Sequence, residues 1–98
     1  MYNLLMALIK IRKGLAYRKI DGQVFIVDAA GERLHELNPA GSLIWECLAA
    51  GKSETRIAEA VCAEFEVDEK TAREDMAAFI KELSAARLLN SKSPVEDR

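Results

Sequence analysis

The stretch Leu37 to Gly51 reads Leu-Asn-Pro-Ala-Gly-Ser-Leu-Ile-Trp-Glu-Cys-Leu-Ala-Ala-Gly, and it leaves the backbone little choice. Asn38 has the chemistry of an N-cap, a side-chain oxygen that accepts an orphan backbone N–H. Pro39 then falls at the first helical position, where its missing N–H costs nothing. Ala40, Leu43, Ile44, Cys47 and Leu48 recur at helical spacing and form one apolar stripe, with Trp45 beside it. Gly51 follows the last apolar turn, where a left-handed C′ residue belongs. The spacing predicts a helix of about three turns with both ends marked. The chain changes character here, from strands before it to helices after it.

Upstream, Leu15–Ile20 and Gln23–Asp28 flank Asp21-Gly22, a strong signal for a two-residue hairpin. Val24, Phe25, Ile26 and Val27 are continuously apolar, which suits a strand paired on both sides with apolar contacts on both faces. Ala29-Ala30-Gly31-Glu32 is a second turn, and Arg33–Leu37 returns as a third strand. A meander of three short strands is expected. Downstream, Ser53 can cap a second helix whose Ile57, Ala58, Val61, Cys62 and Phe65 share a face. Asp68 can cap a third, with Glu69 well placed against the helix dipole. Ala72, Met76, Phe79, Ile80 and Leu83 form its inner face, and Leu88 and Leu89 close the core.

The fold class that follows is α+β: an N-terminal three-stranded antiparallel meander and then three helices, in a winged-helix-like arrangement. The boundaries are an apolar segment over 1–14, a domain over 15–89 and a loose polar tail over 90–98 that contains Pro94. The segment 1–14 has no clean period. It is read either as cover for part of the core or, through Met1–Ile11, as a self-association surface that would make a homodimer.

Ninety-eight residues, half of them hydrophobic and 31% charged, make an ordinary single domain. The net charge of −2 exerts no overall pull toward nucleic acid. Its distribution says more. Residues 1–20 hold five bases and no acid, whereas residues 53–84 hold nine acids against four bases. Cys47 and Cys62 both fall on apolar helical stripes at no zinc spacing, and read as core thiols suited to a reducing compartment. The run Leu4–Ile9 resembles a short signal core, but its positive charges follow it and no small-residue cleavage site is evident. It is too short to span a bilayer, so a cytoplasmic protein without a membrane partner is expected.

The chemical inventory is thin. His35 is the only histidine, Glu74 and Asp75 point in different directions on a helix, and the five glycines are dispersed turn and cap residues. No catalytic role and no cofactor or metal are expected. A winged-helix arrangement suggests DNA binding through the final helix. That helix opens Asp68-Glu69-Lys70-Thr71-Ala72-Arg73-Glu74-Asp75, a surface that repels phosphates. A nucleic-acid-binding or regulatory protein is therefore the alternative and not the first reading.

With these residues in view, the chain resembles the PqqD family, also called RiPP recognition elements, over roughly residues 15–89. The resemblance rests on Leu37-Asn38-Pro39-Ala40-Gly41 followed by Ile44-Trp45, on Gly51 and the Ser53–Ile57-Ala58 helix start, and on Phe65-Glu66-Val67-Asp68. It continues through Asp75-Met76, Phe79-Ile80, Leu83 and Leu88-Leu89. It implies a noncatalytic module that captures the leader of a ribosomally made precursor peptide. The module delivers it to a modifying enzyme, often a radical SAM protein, and in the founding system the product is pyrroloquinoline quinone (PQQ). The family's peptide lies as an extra strand beside the third strand, against the third helix. Carried over, that implies a binding edge at Arg33, Leu34, His35, Glu36 and Leu37, with Arg73, Met76 and Ile80 on the helix. The sequence departs from the family in its apolar start and in Met76, where a valine is usual.

Overall fold

The computed structural model describes residues 9–91. The meander is β2 (Ala16–Ile20), β3 (Gln23–Asp28) and β4 (Arg33–Glu36), antiparallel in the order β2-β3-β4. It is followed by helices α1 (Pro39–Ala49), α2 (Glu54–Phe65) and α3 (Glu69–Ala85), which is the α+β arrangement expected. A second, two-stranded sheet joins β1 (Ile9–Ile11) to β5 (Leu89–Ser91), so the two ends of the described chain run antiparallel. Sequence reasoning did not foresee that pair. The self-association surface expected of Met1–Ile11 lies, up to residue 8, outside the described residues.

The elements begin where their caps stand. Asn38, Ser53 and Asp68 accept hydrogen bonds from the backbone N–H groups of Gly41, Arg56 and Thr71 at 2.7, 3.2 and 2.8 Å. Asp21 and Gly22 both take positive φ, 53° and 79°, as a type I′ hairpin turn requires. α1 ends in a Schellman motif: the N–H of Gly51 (φ 77°) reaches the Leu48 carbonyl and that of Lys52 the Cys47 carbonyl.

Two apolar clusters share the interior. Ile44, Cys47, Ile57, Ala58, Val61, Ala72 and Met76 join the three helices. Val24, Ile26, Leu37, Trp45, Leu83, Leu88 and Leu89 join the sheet to α1, α3 and β5, and Phe79 and Ile80 pack against both clusters. Only one face of β3 is buried: Val24 and Ile26 face the helices, while Val27, which should have had apolar cover, is 47% exposed. Of the cysteines, Cys47 is buried, which raises its thiol pKa, and Cys62 is half-buried. Both are free thiols.

Gly41 explains its own presence. A Cβ there would come within 2.6 Å of the Phe79 ring and 3.0 Å of the Asn38 side-chain oxygen. The glycine lets α1 cross α3 at close range and keeps the cap intact.

Candidate functional site: the free edge of the sheet

β4 is an outer strand of the meander, and the register decides which of its backbone groups face outward. The Leu37 N–H donates to the Val24 carbonyl at 3.0 Å, and the two residues stand directly opposite. In an antiparallel pair, hydrogen-bonded and non-hydrogen-bonded positions alternate. Arg33, His35 and Leu37 therefore turn their N–H and C=O groups toward β3. Leu34 and Glu36 turn theirs to the free edge.

Ser42 ends the ladder. Its hydroxyl accepts from the Val24 N–H at 2.8 Å and donates to the Leu37 carbonyl at 3.3 Å, taking the place of the last direct bond. The wedge satisfies both groups while β4 diverges from β3 and the chain turns into α1.

Side chains alternate with the backbone. Arg33, His35 and Leu37 share the helix-side face with Asp28, Ile26 and Val24. Leu34 lies on the opposite face, 67% exposed, and Glu36 beside it accepts from Gln23 Nε2 at 2.9 Å. His35 is half-buried, and its Nε2 is buried without a hydrogen-bond partner among the described residues. Leu37 is only 8% exposed and belongs to the core.

The helix residues expected at the site divide. Ile80 is half-buried where the two clusters meet. Met76, 2% exposed, is packed among the helices. Arg73 bonds Glu54 of α2 at 3.1 Å and Glu69 of its own helix at 2.9 Å, and these carboxylates raise its pKa further. Both residues thus face α2, and the structure does not bring them to β4. The part of α3 that approaches the start of β4 is its C-terminal end, which the motif reading passed over.

There, at the Arg33 end of β4, a surface cleft is lined by Arg12, Asp28, Gly31, Arg33, Ala86 and Arg87 among others. Arg12 ties its walls together. Nη2 pairs with Asp28 at 2.8 Å, Nε donates to the Arg87 carbonyl at 2.7 Å, and the Arg12 N–H donates to the Leu88 carbonyl at 3.0 Å. Asp28, with a side chain only 8% exposed, also accepts from the Gly31 N–H at 3.2 Å. The Arg12 hydrogen bond, then the Gly31 N–H, hold its carboxyl below the ordinary value of 3.8. No local spacing in the sequence links residues 12, 33 and 87.

Among the described residues, no group of His, Cys, Asp and Glu is placed to hold a metal, and no helix is long and apolar enough to cross a membrane. What the geometry of the described residues offers is a strand edge with outward-facing donors and acceptors, and a cleft at its Arg33 end. Strand addition of an extended peptide uses an edge of this kind.

The chain belongs to the PqqD family: the family model described as coenzyme PQQ synthesis protein D (PqqD) matches residues 23–89. Among solved structures it is similar to "TbiB1 in Complex with the TbiA(beta) Leader Peptide", with 31% identity and a TM-score of 0.79 over 86% of this chain and 98% of that one. It has the same fold as "Lasso peptide synthetase B1 complexed with the leader peptide", at 23% identity and a TM-score of 0.76 over 85% and 98%. A search of curated proteins found no significant match.

Proposed function

We propose that this chain is a noncatalytic adaptor that captures the leader of a ribosomally synthesised precursor peptide as a fourth strand on β4 and presents it to a modifying enzyme. The observation that carries the reading is the phase of the β4 ladder, which leaves the Leu34 and Glu36 backbone groups on the free edge. Membership of the PqqD family supports it, as does the likeness to TbiB1, whose structure holds a leader peptide.

In this reading Arg33, Leu34, His35 and Glu36 form the edge, and Leu37 anchors it from the core. Ile80 borders the groove. Arg73 and Met76 act behind it, by holding α3 on α2. A peptide strand would place alternate side chains on the helix side of β4, over His35, whose unpaired Nε2 could meet a peptide group. The enzyme partner is one that acts on ribosomal peptides, with a radical SAM protein of the PQQ type as the family's frequent case. Its place of action would be the cytoplasm, where such precursors are made.

The test is a titration of isotope-labelled full-length protein with the leader of a precursor encoded beside its gene. Amide shifts should cluster on Arg33–Glu36 and the C-terminal half of α3. Shifts confined to β1 and β2, or equal shifts with random duplex DNA, would overturn the reading.

A further inference from the structure

Resting on that reading, we propose that the cleft at the end of β4 is a specificity subsite that takes an acidic side chain of the bound peptide. Three arginines, Arg12, Arg33 and Arg87, line it, and the one carboxylate among its lining residues, Asp28, is already engaged by Arg12 and the Gly31 N–H. Among the described residues neither Arg33 nor Arg87 has an acidic partner within salt-bridge distance, and both are exposed. Glu32, in the adjoining turn, does not line the cleft. Gly31 and Ala86 add no bulk, so the space between the arginines is open to a guest.

Arg87 strengthens the case. It occupies the C′ position of a Schellman motif at the end of α3, its N–H on the Ser84 carbonyl and the next N–H, from Leu88, on the Leu83 carbonyl. That position takes a left-handed backbone, here φ 63°, and glycine is its usual occupant. An arginine there is conformationally costly, and this one is among the residues that line the cleft.

The register says where the acid should sit. On an antiparallel peptide strand, the residues opposite Leu34 and Glu36 exchange hydrogen bonds with the edge, and their side chains fall on the outer face. The residues opposite His35 and Arg33 send theirs to the helix side. The peptide residue opposite His35 therefore falls beside that half-buried side chain, on the side of the sheet whose core residues Val24, Ile26 and Leu37 are apolar. The one two positions further along meets Arg33 and the cleft. The recognised pattern is an apolar residue, any residue, then Asp or Glu.

The experiment selects a phage-displayed random-peptide library on the full chain and on two variants, Arg33→Gln and Arg87→Gly. Peptides enriched on the unaltered protein should carry Asp or Glu two positions after an apolar anchor. Changing that acid to its amide should weaken binding about tenfold, as expected for a charge-assisted contact. The same change should matter little against either variant. Arg87→Gly should also melt higher than the unaltered protein, because glycine relieves the left-handed backbone, so its weaker binding cannot come from loss of fold. Enriched peptides that shift the β4 amides but show no acid preference, or an amide change that costs the same on all three proteins, would overturn the subsite and leave strand addition standing. Peptides that bind without moving the β4 amides would overturn both.

Discussion

Proline placed at Leu34 and at His35 should separate binding from folding, because one residue turns its N–H outward and its neighbour inward. His35 opposes Ile26 in a hydrogen-bonded pair, so His35→Pro removes a ladder bond and leaves the Ile26 carbonyl without its donor. The lost bond and the unsatisfied acceptor together cost about 2–4 kcal/mol. That is a large share of the roughly 5–15 kcal/mol available to a domain. Leu34→Pro removes only a donor that faces the free edge. Leu34 is 67% exposed, so little burial is lost, and the folding cost should stay below about 1 kcal/mol. For a peptide strand on β4 the same change deletes one main-chain hydrogen bond, about 1–1.5 kcal/mol, or roughly tenfold in Kd. Urea unfolding followed by circular dichroism reads the first quantity, and titration calorimetry with the leader peptide reads the second. The reasoning fails if Leu34→Pro binds like the unaltered protein while remaining folded. It fails equally if Leu34→Pro is the variant that unfolds.

Four further outcomes follow from the same geometry. Gly41→Ala should destabilise by about 1–3 kcal/mol in urea, because its methyl collides with the Phe79 ring and crowds the Asn38 cap; a neutral result would show that α1 and α3 can separate freely. Met76→Ala should cost about 2–5 kcal/mol of stability while the folded fraction keeps its affinity for the leader, and a selective loss of affinity would return Met76 to the groove. The Asp28 carboxyl has a folded pKa below 3.8, so its stabilisation is complete above that value and is lost as pH falls through the lower one; the stability gap to Asp28→Asn, measured in urea, should be flat near neutrality and close in acid, and a gap unchanged down to pH 2 would refute the Arg12 pairing. Removing residues 1–8, which spares β1, should lower the mass seen by light scattering if the apolar start self-associates; an unchanged mass would end the homodimer reading.

Much of this architecture is legible in short range. A cap acts over three residues and a two-residue hairpin turn over four, so Asn38, Ser53, Asp68 and Asp21-Gly22 carry their meaning locally. Helical spacing finds an apolar stripe but cannot say what covers it. It grouped Met76 with Ile80, whereas a turn of helix separates a residue sealed against α1 and α2 from one that reaches the sheet. The rest depends on contacts that no spacing encodes. Arg12 and Arg87 meet across 75 positions, and Ser42, a plain serine outside the apolar stripe of its helix, closes the ladder of a strand that ends before that helix begins. Whether Leu34 or His35 faces outward is equally hidden. Alternation fixes the period but not the phase, which shows only in the pairing itself, as in the bond from Leu37 to Val24.

A three-stranded sheet has two edges, and the structure gives a reason to choose β4. Along β2, Tyr17 packs edge-on against Trp45 with ring centroids 5.5 Å apart, and Lys19 pairs with Glu46 at 3.1 Å. The helix-side groups of that strand are thus already committed to α1. Arg18 and Lys19 also load the strand with charge, a common protection against unwanted pairing. Among the described residues, no hydrogen bond or ion pair ties a β4 side chain to a helix. The principal packing of β4 is with β3, whereas α3 lies mainly against α2, β5 and α1. The Ser42 wedge and the Gly41 contact hold α1 close at one end of β4, and Arg12 holds the turn after α3 at the other. An incoming strand would be received between two fixed points. The edge that remains chemically open is also the one whose surroundings are braced, and that combination favours binding over aggregation.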